Sequence, residues 1–134
     1  VFPLNPMGAH LERLKTRRQF LRVAAGKRKW VAPGIVLQVA TQPPEDRAAS
    51  EGPRYGLTVS KRVGNAVIRN RARRRLRAAA EEVLANCALT DYDYVLIGRQ
   101  GTPTRDFGAL KNDLETGLRK LGACRLAAEE NGTS

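Results

Sequence analysis

From Lys61 to Arg77 the chain carries eight basic side chains and no acidic one: Lys61, Arg62, Arg69, Arg71, Arg73, Arg74, Arg75 and Arg77. Arg69 and Arg73 are four residues apart, as are Arg71 and Arg75, and Arg74 and Arg77 are three apart. Residues at those spacings are neighbours on a helix surface. A band of like charges repels itself, so it needs an anion to neutralise it. Arginine outnumbers lysine, and guanidinium forks match phosphate oxygens and stack on bases. Asn70, between two of the arginines, adds an amide that donates and accepts. The chemistry indicated is recognition of a nucleic-acid phosphate backbone. A solvated face is the plain alternative for a charge run, but such a face interleaves signs and this one does not.

A bond-making site is harder to assemble. His10 is the only histidine, and it falls in a pattern-poor N-terminal stretch. No Ser/His/Asp or Cys/His set is convincing, and no glycine-rich phosphate loop is present. Asp91 and Asp93 have the spacing of a metal pair, but a strand-entry turn followed by a surface aspartate is the commoner arrangement. The chain therefore offers no catalytic set and no direct metal ligands of its own, and Asn70 is the one position where magnesium could bind, through water. Cys87 and Cys124 are too few for a disulfide scaffold and read as reduced, buried or half-buried small residues. The formal charge of +11 over 134 residues points to a polyanionic partner. No apolar run approaches the roughly 20 residues that span a bilayer. The first residues lack the pattern of a signal peptide, so a cytoplasmic location is expected.

Positioning the basic band requires a helix, and the sequence supplies one. Asn65 is a natural N-cap, and Ile68, Ala72, Leu76, Ala79 and Val83 form an apolar stripe from residue 66 to about 85. The arginines lie in its first half and Glu81 and Glu82 in its second, both against the helix dipole. Each misplaced charge costs a few tenths to about 1 kcal/mol. Thr16 caps a shorter helix over residues 17–25, with Phe20, Val23 and Ala24 inward and Gly26 as its stop. Strands are expected at residues 34–40, 54–60 and 92–98, with a short extra one near 27–31. Residues 42–52 read as a loop, and a last helix runs from Thr104 to about Leu121, with Phe107, Leu110, Leu114 and Leu118 inward. One domain over residues 11–122 follows, with disordered tails at 1–10 and 123–134. The fold class is α+β.

The run Ser60-Lys61-Arg62-Val63-Gly64-Asn65-Ala66-Val67-Ile68-Arg69-Asn70-Arg71, followed by Arg73-Arg74-Arg75-Leu76-Arg77, resembles the signature of the bacterial ribonuclease P protein subunit. Arg13-Leu14-Lys15 and Arg18-Gln19-Phe20 resemble that family's first helix. Gly56 to Ser60 and Asp93 to Arg99 resemble its strands before and after the signature. The resemblance implies a two-layer α/β sandwich, a four-stranded sheet with three helices. Its topology would be α-β-β-β-α-β-α, with a left-handed β-α-β crossover against the usual hand. It also implies a task. The subunit, a monomer in a 1:1 complex, joins the catalytic RNA of ribonuclease P and promotes magnesium-dependent removal of the 5′ leader from precursor tRNA. Catalysis is carried by the RNA, which binds most of the Mg2+. Carried over by position, Lys61, Arg62, Arg69, Asn70, Arg71, Arg73, Arg74, Arg75 and Arg77 would contact the catalytic RNA, and Phe20 and Lys61 the leader in a cleft. The chain departs from the family in having Ala24 where many members have a second aromatic, and Ile35-Val36-Leu37 where many have an aromatic in the next strand. Trp30 is given no role. A ribosomal-RNA-binding protein, a nuclease acting alone and a membrane-surface protein are the competing classes. The second lacks an acid/base set, and the third lacks bulky apolar residues opposite the charges.

Overall fold

The computed structural model describes residues 11–49 and 52–124. The expected tail over residues 1–10, with His10, lies outside them, as does the chain beyond Cys124. The elements run β1 (Glu12–Arg13), α1 (Arg17–Ala25), β2 (Lys29–Val31), β3 (Ile35–Thr41), α2 (Pro44–Ala49), β4 (Arg54–Thr58), a 3-10 turn (Lys61–Val63), α3 (Ala66–Cys87), β5 (Tyr92–Gly98) and α4 (Phe107–Lys120). The strands make one five-stranded mixed sheet in the order β1-β4-β5-β3-β2. β4 and β5 are parallel and joined through α3; β3 runs antiparallel to β5, and β2 antiparallel to β3.

Local chemistry accounts for the helix starts. Thr16 and Gln19 form a reciprocal capping box at α1, satisfying donors that the first turn leaves open. Asn65 Oδ1 accepts from the Ile68 amide at 3.0 Å to open α3, and Asp106 Oδ2 from the Ala109 amide at 3.1 Å to open α4. The last helix starts at Phe107 and not Thr104, because residues 101–105 close a turn on the Gly101 carbonyl.

Two elements correct the sequence reading. α2 lies within the expected loop. Pro44 sits at its first position, where a missing amide costs nothing, and Glu45 and Asp46 suit its positive end. β1 replaces the expected run-in to α1. It exists because the Glu12 amide reaches the Pro53 carbonyl at 3.0 Å and the Leu14 amide reaches that of Tyr55 at 2.9 Å. Hence there are four helices and five strands among the described residues, where three and four were expected.

Side-chain alternation divides the sheet. On one face Ile35, Leu37, Val39, Tyr55, Tyr94 and Leu96 pack against the stripes of α3 and α4 to make the main core. The register puts Val36, Gln38, Gly56, Thr58, Val95 and Ile97 on the other face. Among the described residues α1 is the helix packed on that face, through a small cluster of Leu14, Val23 and Val95 with Phe20, Ala40 and Ile97 against it. The expected two layers therefore gain a partial third. Ala24, expected inward, is exposed, and Ile68 at the head of the α3 stripe is 36% exposed. Cys87 and Cys124 are both buried, and neither is in a disulfide. Packing continues through Cys124: Ala123 is buried, and its carbonyl accepts from the Tyr94 hydroxyl at 2.6 Å.

Burial pushes the Tyr94 phenol far above its ordinary range, and burial, followed by the hydrogen bond to Glu81, raises that of Tyr55. With the folded pKa raised, the unfolded chain releases the proton first. The contribution is intact below about pH 10 and lost above it. Unfolding free energy measured by urea titration is expected to fall above about pH 10 by up to about 1.4 kcal/mol per pH unit for each phenol. Tyr94→Phe should remove its share of that slope; an unchanged slope would mean that Tyr94 ionises freely in the folded state.

Candidate nucleic-acid interface

Turn chemistry delivers the basic helix. Ser60 Oγ accepts from the Arg62 amide at 3.3 Å and caps the 3-10 turn that carries Lys61 and Arg62. Gly64 then takes φ 153°, a backbone region that side chains avoid, and lets Ile68 close over it. Asn65 restarts the chain as α3, with Ala72, Leu76, Ala79 and Ala80 at 0% exposure holding its inner side.

The structure separates the charges of α3 into two kinds. Both carboxylates in its second half have partners: Glu81 Oε2 accepts from the Tyr55 hydroxyl at 3.0 Å, and Glu82 pairs with Lys111 at 2.7 Å. Tertiary contacts thus account for acids that look misplaced on the isolated helix. The arginines of the first half form no ion pair among the described residues. Lys61, Arg62, Asn70, Arg71, Arg73, Arg74 and Arg77 are exposed. Arg73 donates to Asn70 Oδ1 at 3.3 Å, and half-buried Arg69 makes a long contact of 3.4 Å to the Gly64 carbonyl. Arg75 is different. It donates from Nε to the Thr102 carbonyl at 3.0 Å and from a terminal nitrogen to that of Arg105, and it lies 5.9 Å from the centre of the Phe107 ring. Its guanidinium staples the β5–α4 connection to α3, whereas its neighbours face solvent.

The second feature is a groove of about 600 Å³ between α1 and the uncovered sheet face. Phe20, Leu21 and Ala24 form one wall, and Gln38, Val95 and Ile97 the floor, with Lys15, Arg17 and Arg73 among its lining residues. Phe20 is half-buried. Its ring lies on the backbone of Gly56, where an added Cβ would come within 2.4 Å of ring carbon Cζ. Only glycine at 56 lets the aromatic lie so low. Over Ile97 the groove passes into a second hollow lined by Val36, Ser60, Arg62, Arg99 and Gln100. Of the two expected cleft residues, Phe20 lines the groove. Lys61 is exposed in the adjoining turn, and its neighbour Arg62 is the one that lines the hollow. Trp30 pairs with Leu37 and packs on Gly117, on the α4 side of the sheet, so it does not replace a groove aromatic.

Sequence reasoning missed Gln38, Arg17 and Arg99. Gln38 was legible in principle, since it lies two residues from Val36 on β3 and so shares its face, but only pairing with Val95 shows which face is open. It also misplaced Asp93, expected at the surface. Asp91 precedes β5, while Asp93 is 0% exposed. Arg54 binds it bidentately, Nε to Oδ1 and Nη2 to Oδ2 at 2.7 Å each, and Arg22 of α1 also donates to Oδ2. Arg54 Nη2 further reaches Asp46 of α2 at 3.1 Å. The hydrogen bond to Asp93 raises the Arg54 pKa above its ordinary value.

Comparisons with known proteins place this geometry. Residues 9–122 match the family model described as Ribonuclease P. The ribonuclease P protein component of Paramagnetospirillum magneticum is 51% identical over 117 residues, 87% of each chain. That of Gluconacetobacter diazotrophicus is 49% identical over 87% of this chain and 96% of its own. Among solved structures, a Staphylococcus aureus RNase P protein mutant aligns with a TM-score of 0.67 at 24% identity, over 83% of this chain and 88% of its own. The Thermotoga maritima RNase P protein aligns at 0.63 with 22% identity, over 78% and 93%. At those identities the solved structures speak to the fold.

Proposed function

We propose a function from one premise, that this chain belongs to the ribonuclease P protein family. Membership implies an RNA partner within a tRNA-processing ribonucleoprotein. In our reading the exposed basic face of α3, with Lys61 and Arg62, docks on the catalytic RNA, and the groove under α1 takes the single-stranded 5′ leader of precursor tRNA. One observation carries the reading: Arg73 belongs to the basic face and also lines the groove. The two surfaces thus meet, and a leader in the groove emerges beside the docked RNA. Arg75 serves the assembly from within, by holding the turn after β5. Phe20 offers its ring to a leader base, and the basic lining neutralises leader phosphates.

Among the described residues the side chains do not suit a magnesium ion. Asn70 Oδ1 already accepts from Arg73 and stands among guanidinium groups that repel a cation. Among the described residues no cluster of histidine, cysteine or carboxylate side chains could hold a metal. In this reading magnesium belongs to RNA phosphates, where it supplies the activated water, and the protein contributes binding and charge neutralisation. No helix among the described residues is long and apolar enough to cross a membrane. A monomeric subunit in a 1:1 complex in the cytoplasm, with the left-handed sense of the β4-α3-β5 connection, completes the proposal.

The test is cleavage of precursor tRNA by the cognate RNA at low magnesium, with and without the protein, beside a protein-only lane. Cleavage only with both components supports the reading. No stimulation, with tight binding to ribosomal RNA, would replace it, and cutting by the protein alone would overturn the assignment of chemistry to RNA. In the assembled complex Phe20→Ala is expected to weaken precursor binding by about 1–3 kcal/mol, the scale of one base–aromatic stack, while mature tRNA binding holds. Equal loss for both ligands in a binding titration would mark Phe20 as packing only.

A further inference from the structure

We infer that Arg22 is a positioning residue for leader binding, clamping α1 to the sheet so that the Phe20 ring lies at the right height over the groove floor. The inference rests on the groove reading above. α1 has nine residues, of which only Val23 is buried, and a free helix of that length is marginal in water. Its place therefore depends on tertiary contacts, and the apolar ones are few. Arg22 supplies the polar ones. One terminal nitrogen donates to the Thr41 carbonyl at 2.9 Å, and the other donates to Asp93 Oδ2. Thr41 ends β3 and Asp93 lies in β5, so one guanidinium ties the helix to two strands.

The anchor itself is held by a second arginine, because Arg54 donates to both oxygens of Asp93. Phe20 stands two residues before Arg22 on the same helix. Its low seat over Gly56 leaves little tolerance for tilting of α1. Arg22 lines a separate hollow between α1 and α2 and is absent from the groove wall. It acts on the leader through Phe20 and does not touch it.

The experiment measures precursor and mature tRNA affinity in the reconstituted holoenzyme for Phe20→Ala, Arg22→Leu, the double variant and Arg22→Lys. The Arg22 side chain is 31% exposed, and Asp93 keeps Arg54, so Arg22→Leu should fold, with thermal unfolding as the check. Arg22→Leu is expected to lower precursor-over-mature preference about tenfold, within the range of one stack, with an unchanged salt slope. The double variant should lose no more than Phe20→Ala alone, and Arg22→Lys should restore part of the preference. Additive losses with a shallower salt slope would make Arg22 a phosphate contact and overturn the inference. Equal loss for both tRNAs, or no loss, would also overturn it. If Phe20→Ala has no leader effect, the groove reading fails and this inference falls with it.

Discussion

Converting Arg71 and Arg74 together to glutamate is expected to weaken binding to the catalytic RNA on the order of 100-fold at near-physiological salt. The log–log salt dependence should flatten by roughly two units, close to one per lost phosphate contact. These two arginines are the informative pair. They are exposed, three residues apart on one face of α3, and engaged by no carboxylate among the described residues. The fold should not suffer. Glutamate at these positions relieves like-charge crowding along the helix, worth a few tenths of a kcal/mol per pair. Binding should therefore fall while the unfolding midpoint holds or rises. Arg75 would be a poor substitute, because it holds the carbonyls of Thr102 and Arg105 and its loss would mix folding with binding. A salt slope unchanged in the double variant would remove this face from the interface.

Asp93→Asn is expected to destabilise the protein by about 3–5 kcal/mol, the usual consequence of removing one partner from a buried ion pair. The carboxylate neutralises two guanidiniums at a position of 0% exposure. The amide keeps the shape but leaves Arg54, itself buried, with only the partly exposed Asp46. Urea unfolding followed by circular dichroism measures the loss directly. α1 and α2 should loosen first, since Arg22 and Asp46 tie them to this cluster, and faster amide exchange in residues 17–25 than in α3 would show it. A stability within about 0.5 kcal/mol of the parent chain would mean that solvent already screens the cluster, contrary to its burial.

Much of the fold follows from short-range patterns. The limits of α1 and β5, the Asn65 cap, the apolar stripes of α3 and α4 and the β-branched content of β3 depend on neighbours within four residues, which periodicity reads directly. The basic band on α3 was legible for the same reason. α2 was hidden because a proline that breaks a helix in its interior begins one at its first position. β1 was hidden because two residues carry no pattern, and its hydrogen bonds come from residues 53 and 55.

By itself, then, the sequence determined that this protein carries a folded helix with a dense cationic face. The tertiary structure decided which charges remain free. Arg75, identical in type to its neighbours, is consumed by carbonyls 27 and 30 residues away. Asp93, which reads as a surface residue, is buried by arginines 39 and 71 residues before it. The open sheet face and its groove likewise exist only once β3, β4 and β5 are paired and α3 and α4 have taken the opposite side. The physical reason is range. Helix propensity and capping act over a turn, whereas strand register, burial of charge and the diversion of a guanidinium are settled by partners that only folding brings within hydrogen-bond distance.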